Sequence, residues 1–345
     1  MHEVISLLIN RYDFFLQLLW AHIEISLSAS VIAIIVGGLL GVLIHEYKRL
    51  AGPVMLIVNF LYTIPSISML GLLLYVSGVG NTTAIIALVI YALLPMVRNT
   101  FTGLDQIKSD MREAGIALGL TRLQRLWSIE IPLAMPTIMA GIRTMLVMTI
   151  ALTGIASFIG AGGLGVAIYR GITTNQSALT IAGSLLIALL AVVVDMLFSL
   201  GERVTRISPH MKRYTIVFLS VMTLIAMAVG GWSLYCRHVK ADVIHIATKP
   251  MTEQLILGNA LKELIEHKTG LTVEVTEGVG GGTSNIQPAM RSGQFDIYPE
   301  YTGTAWSAVL KRTDPYDESL FSELSQAYKQ EYNFEWVGMY GFNNT

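Results

Sequence analysis

Four stretches of this sequence set groups where they could do chemistry. Residues 280–285, Gly-Gly-Gly-Thr-Ser-Asn, run into a helix-like segment and would offer backbone N–H groups to an anion. Lys249, at the end of a strand-like run, could attract a carboxylate, and Gln254 is a further polar candidate. Residues 160–165, GAGGLG, formally fit the dinucleotide pattern G-x-G-x-x-G. However, they follow an apolar run, no strand–helix–strand unit surrounds them, and no acidic residue lies about twenty positions on, which argues against a nucleotide site. Residues 112–136, REAGIALGLTRLQRLWSIEIPLAMP, gather basic groups, glycines and two prolines between long apolar runs. Nothing here looks like an enzyme: no His/Asp/Glu cluster or nucleophile constellation stands out. The single cysteine, Cys236, excludes an intrachain disulfide and a cysteine-based metal site. No metal site is expected.

The elements that must carry these stretches divide the chain in two. Hydrophobic residues make up 53% and charged residues 14%, far more apolar than a soluble domain. Residues 1–240 hold 16 basic and 10 acidic groups, and residues 241–345 hold 7 and 14. An apolar, mildly cationic part is thus joined to an acidic polar part, with no basic patch for nucleic acid. At roughly 20 apolar residues per span, six spans are expected, near 18–44, 53–77, 83–97, 139–157, 178–200 and 215–235. Between Arg49 and Arg98 no residue is charged. Glycines and prolines inside the spans, Pro65 and Gly71 among them, read as packing positions.

Basic residues set the expected orientation. Lys48, Arg49, Arg98, Lys108, Arg112, Arg122, Arg125, Arg203, Arg206, Lys212 and Arg213 fall in alternate loops, whereas the intervening loops hold only Arg170. By the positive-inside tendency the first set is cytoplasmic, so the N-terminus and everything after Tyr235 lie outside the cytoplasm of a multi-pass cell-membrane protein. His22 and Glu24 fall near the outer end of the first span, where headgroups would solvate them. Arg143 would snorkel from the inner end of the fourth, and Asp195 would pair with a neighbour.

After residue 241 the pattern becomes α/β. DVIHIAT and LTVEVTEG alternate like strands and TEQLILGNALKELIEH like a helix with Thr252 as N-cap; a helix IQPAMRSG and a strand FDIYPEY follow. Residues 241–345 suffice for one small lobe but not for a two-lobed clamp, and the ending WVGMYGFNNT reads as a strand running into an absent partner; the sequence reads as incomplete.

Within residues 112–136, Glu113-Ala114-Gly115, three residues, Gly119, nine residues and Ile129-Glu130-Ile131-Pro132 closely resemble the coupling motif of ABC importer permeases. Gly115 and Ile131 depart from the family's alanine and leucine. The resemblance implies a type I ABC importer permease fold, an all-α polytopic membrane domain, over residues 1–210 with a coupling helix at about 105–133. Glu113, Ala114, Gly115, Gly119, Ile131 and Pro132 would then couple it to ABC ATPase subunits around a permease homodimer. A small face at Ala114, Gly115 and Gly119 would allow close approach, Leu118, Leu123, Leu126 and Trp127 would anchor, and Arg112, Arg122 and Arg125 would meet partner carboxylates. Pro132 and Pro136 would end the element and start the next span. No G-x-x-x-x-G-K-[ST] pattern occurs, so this chain would bind no cofactor and ATP with Mg would be used by the partner ATPase. The GAGGLG segment resembles the family's external glycine-rich loop, a flexible gate rim or docking surface.

KPMTEQ (249–254), GVGGGTSNIQPAM (278–290) and FDIYPEYTGTAW (295–306) resemble the first lobe of binding proteins for glycine betaine, carnitine, choline and ergothioneine. A branch of that family fuses permease and binding protein. The resemblance implies a sixth helix and linker over 211–240 and an incomplete periplasmic-binding-protein-like α/β domain over 241–345. Tyr301 would form a wall of an aromatic cage for a betaine-like solute, Thr304 would hydrogen-bond it, and Lys249, Gln254, Gly282, Thr283 and Asn285 would supply its polar contacts. Tyr298 and Trp306 read as lobe core. An importer for an amino acid such as methionine, or a tethered amine receptor that does not transport, stay open on the sequence.

Overall fold

In lipid every backbone N–H and C=O must be bonded within its own segment, so uncharged apolar runs fold as helices. The computed structural model describes residues 2–207, 243–291 and 293–341. They fall into two units, Met1–Asp242 and Val243–Thr345. In the first, α1 (His2–Asn10) precedes α2 (Tyr12–Glu46), which contains the expected first span. α3 (Lys48–Thr63), α4 (Ser66–Ser77) and α5 (Asn81–Asp105) follow. After them come α6 (Ser109–Ala117), α7 (Arg122–Arg125), α8 (Ile131–Thr153), α9 (Gly165–Thr173) and α10 (Ser177–Ile207). Four helices among the described residues are long and apolar enough to cross a membrane, or five with one bent pair counted. The expected span 215–235 lies outside the described residues.

The bent pair corrects the second expected span. Residues 53–77 are not one helix: α3 and α4 meet at 100°. Pro65 has no N–H and pushes Ile64 out of the helical region, to ψ 127°, so Pro65 is a hinge rather than a packing residue. The Tyr91 hydroxyl donates to the Ile64 carbonyl that the break frees. Gly71 has no neighbour close enough to need its small size. Gly37 and Gly41 do pack closely: a Cβ there would stand 2.8 Å from Met96 Cβ and 2.5 Å from Thr100 Cβ, so α2 lies tight against α5. Met96, Leu104, Met139, Ile142 and Met145 then form the core that α5 and α8 share. α10 packs on α8 and α9 and leaves Leu185, Leu189, Val192 and Met196 exposed.

The GAGGLG turn is anchored rather than a loose rim. The Gly162 N–H donates to Asn81 Oδ1 at 2.9 Å, and the Leu164 N–H donates to His22 Nδ1 at 3.3 Å. His22, expected among headgroups, is fully buried, and its Nε2 lies 3.0 Å from the Ile150 carbonyl. With Nδ1 accepting, Nε2 carries the proton and donates, so one imidazole ties α2 to α8 and to the turn.

In the second unit β1 (Val243–Ala247) and β2 (Thr272–Thr276) pair in parallel, Val243 opposite Thr272 and Ala247 opposite Thr276, through the crossover helix α11 (Thr252–Thr269). α12 (Thr283–Arg291) and α13 (Phe321–Tyr332) complete it. Thr252 is the first helical residue rather than the cap, which falls at Met251 without a side-chain bond. The expected strand FDIYPEY shrinks to one bridge, Ile246 with Ile297, because Pro299 cannot donate to a ladder. Residues 333–340 form no strand. Trp306, Leu324 and Tyr328 make the second core, and Trp306 Nε1–H donates to the Asp314 carbonyl.

Candidate functional site

The segment after α5 is built from two capped helices. α6 closes in a left-handed turn: the Leu120 N–H donates to the Gly115 carbonyl at 3.1 Å and the Gly119 N–H to the Ile116 carbonyl at 2.9 Å, with Gly119 at φ 73°. α7 starts at once in a capping box between Thr121 and Gln124. A π-turn, Leu126–Glu130, then leads into α8, with the Ile131 N–H bonded to the Leu126 carbonyl. The widened turn sits immediately ahead of Pro132, which lacks a donor for the ordinary ladder. Pro132 and Pro136 therefore lie inside a helical stretch running from Arg122 to Thr153 and do not end the element.

This geometry revises the roles of the small residues. Gly119 is needed for its backbone, since a Cβ there would meet nothing within 4 Å. Gly115 is buried within the chain, where a Cβ would stand 3.0 Å from Ile129 Cδ1, so it packs α6 on the π-turn. Glu113 and Ala114 are exposed on α6, and Ile131 is half-buried against the core shared by α5 and α8. Leu118, Leu123 and Trp127 are 78%, 69% and 67% exposed, an apolar cap with no cover in the monomer, whereas Leu126 is buried.

Each of the three arginines has a partner within the chain, Arg112 and Arg125 well covered and Arg122 more than half exposed. Arg122 pairs with Glu46. Arg125 Nε donates to Glu130 Oε1 at 2.8 Å. Arg112 Nη2 donates to the Leu104 carbonyl at 2.7 Å, and its Nε lies 3.8 Å from Glu130 Oε1. Glu130 and His45, buried at the centre of these pairs, were not singled out from the sequence; the available signal was a carboxylate between Ile129 and Ile131 in an arginine-rich segment. The fold does cluster His45, Glu46 and Glu130, with ligand atoms within 4.8 Å of one another. Guanidinium groups already meet both carboxylates, so the trio is an ion-pair network rather than a cation site. Deeper in the helices, Arg143 does not snorkel alone: its Nε and Nη2 bind Asp195 at 2.5 and 2.6 Å.

In the second unit, Lys249, Thr283 and Tyr301 converge on Glu300. The Lys249 ammonium pairs with Glu300, both side chains are 3% exposed, and the ammonium lies 4.7 Å from the Tyr301 ring centre. Thr283 Oγ1 donates to Glu300 Oε2 at 2.8 Å. The Tyr301 hydroxyl donates to Glu253. A solute carboxylate at Lys249 would therefore compete with Glu300. Gly282, at φ 54°, lies against the Lys249 stem, and Asn285 folds back to donate to the Gly280 carbonyl. Gln254 is buried with its Oε1 unbonded, while Thr304 is half-buried one turn after Tyr301. Tyr298 donates to Gln287 Oε1 at 2.8 Å, and burial pushes its hydroxyl well above the ordinary tyrosine range. Glu253 and Glu300 were also missed, although Glu300 stands between two tyrosines in YPEYTGT.

Comparison with known proteins agrees with both halves. Residues 29–207 match the family described as binding-protein-dependent transport system inner membrane component, and residues 242–345 match the substrate binding domain of ABC-type glycine betaine transport system. The ergothioneine transport permease/ergothioneine binding protein EgtU of Helicobacter pylori (strain G27) is 38% identical over 91% of this chain, which spans 58% of that relative's length. The glycine betaine/carnitine/choline transport system permease protein OpuCD of Bacillus subtilis (strain 168) is 44% identical over 57% of this chain and 86% of its own. A solved structure of the MetNI methionine ABC transporter, inward facing, matches 55% of this chain and 95% of its own at TM-score 0.52 and 20% identity, a likeness of fold. The chain belongs to the family of inner-membrane components of binding-protein-dependent transport systems, with a helical permease fold like that of type I ABC importers followed by a glycine-betaine-type substrate-binding domain.

Proposed function

We propose that this chain is the permease of an ATP-driven importer for trimethylammonium solutes such as glycine betaine, carnitine, choline or ergothioneine, and carries its own solute-binding lobe. The observation that carries this reading is the pairing, in one chain, of a capped helix with an uncovered apolar tip and a binding domain of the glycine betaine class. Separate ATPase subunits dock on Leu118, Leu123 and Trp127 and use ATP with Mg; Glu113, Ala114, Gly119 and Pro132 belong to the coupling element. Two copies of the chain surround one pathway. The basic loops face the cytoplasm, the binding lobe lies outside, and residues 211–240 tether it.

Tyr301 supports cation recognition: its ring already carries an ammonium at 4.7 Å, and its hydroxyl is held by the Glu253 carboxylate. A permanently charged ammonium gains about 0.5–2 kcal/mol from each such ring. Lys249, Gln254, Gly282, Thr283, Asn285 and Thr304 are proposed to supply the polar contacts of the solute. Closure of the ATPase pair displaces the coupling helices and switches access from outside to inside. The test is calorimetry of the complete protein against trimethylammonium solutes, followed by uptake into vesicles holding the ATPase. Saturable binding and ATP-dependent uptake of at least one solute are expected. Binding of none would overturn the solute class, and binding without uptake would overturn the transport role.

A further inference from the structure

Four segments meet around Glu130. The end of α2 brings His45 and Glu46, the end of α5 brings the Leu104 carbonyl and Asp105, α6 brings Arg112, and α7 with the π-turn brings Arg122, Arg125 and Glu130 itself. The pairs among them differ in kind. Lys48 with Asp105 and Arg122 with Glu46 each include a side chain more than half exposed. Pairs like these contribute roughly 0–1 kcal/mol and give way easily.

Glu130 is different, because its side chain is 1% exposed. Its Oε1 accepts from Arg125 at 2.8 Å and faces Arg112 Nε at 3.8 Å, while Oε2 faces His45 Nε2 at 3.3 Å. His45 Nε2 also lies 3.4 Å from Arg112 Nη2. That one nitrogen can donate to Glu130 or accept from Arg112 but cannot do both at once. The hydrogen-bond partner of Arg112 is the Leu104 carbonyl, to which it donates at 2.7 Å, while Glu130 faces its Nε at ion-pair distance. Gly115 adds contact between the same pieces, since it admits Ile129 of the π-turn against α6. Separating α6 from the mouth of α8 would take Arg112 away from a buried carboxylate and leave Arg125, on the same segment as Glu130, as its remaining guanidinium partner, which is more costly than breaking a surface pair.

We propose that Glu130 is a positioning residue: held in place by Arg125 on its own segment, it faces Arg112, which also bonds the Leu104 carbonyl, and so ties α6 to the end of α5 and the start of α8, so that displacement of α6 is passed into the membrane helices. This rests on the reading of α6 as the element an ATPase moves. The network gives the segment its stiffness, and the exposed pairs around it are dispensable.

The test uses the complete protein reconstituted with its ATPase in vesicles, with ATP hydrolysed and solute imported measured on the same sample. Glu130→Gln keeps the shape and removes the charge; Arg112→Gln cuts the link from the other side. Each variant is expected to hold the ATPase as the wild type does and to hydrolyse ATP, yet to import about tenfold less solute per ATP. The double variant should be no worse than either single one, because both cut one connection. An unchanged import-to-hydrolysis ratio in either variant, or additive losses in the double variant, would overturn the proposal. Should Glu130→Gln fail to accumulate, Arg112→Gln carries the test, since its side chain is 28% exposed and tolerates a smaller polar replacement. A wild-type chain that holds no ATPase or imports nothing would instead refute the function proposed above, before any variant is made.

Discussion

At the scale of single residues, charge in this protein is satisfied from within. Lys249, the cation expected to greet a solute, is bound to Glu300, and the arginines expected to greet a partner are bound to Glu46, Glu130 and a carbonyl. The proposed function accordingly leans on the Tyr301 ring and on the exposed Leu118, Leu123 and Trp127. Tyr301→Ala should therefore weaken solute binding about tenfold, read by calorimetry, from the loss of one ring contact; an unchanged affinity would remove Tyr301 from the site. Burial also raises the hydroxyls of Tyr298 and Tyr328 above the ordinary tyrosine range. The folded state holds those protons more tightly than the unfolded chain, so this stabilisation is present in full below about pH 10, the unfolded value, and is lost as pH rises beyond it. Stability to urea should stay flat near neutrality and fall as pH rises beyond about 10, less so in Tyr298→Phe.

At the scale of elements, the coupling segment owes its shape to turn chemistry. Gly119 at φ 73° closes α6, and Thr121 with Gln124 opens α7 two residues later. An alanine at position 119 has room but not the backbone, and costs about 1–2 kcal/mol in the left-handed region. Gly119→Ala should speed hydrogen exchange over residues 115–124 and lower uptake several-fold while leaving solute binding unchanged; normal uptake would count against the segment's role. Much of this was legible in the sequence. The helices α2, α5 and α10 follow from long apolar runs, and the motif at 113–132 from its spacing. What was not legible depends on contacts between distant segments. Pro65 reads alike as a packing residue or a hinge until Tyr91 is seen bonding the carbonyl before it. His22 reads as a headgroup contact until Leu164, 142 positions away, is seen donating to it. Glu130 has no visible partner until α2 and α6 close around it.

At the scale of the whole molecule, a helical permease and a solute-binding lobe share one chain, and each half matches a transport family. The proposed transport function requires the exposed apolar tip at Leu118, Leu123 and Trp127 to face the side where ATP is found. Leu118, 78% exposed, reports on that directly. A Leu118→Cys variant, with Cys236→Ser to leave one thiol, would be treated with a membrane-impermeant maleimide in right-side-out and inverted vesicles, with and without the ATPase. Labelling only in inverted vesicles, and protection when the ATPase is bound, is the result expected. Labelling in right-side-out vesicles would contradict the coupling role and the transport mechanism built on it.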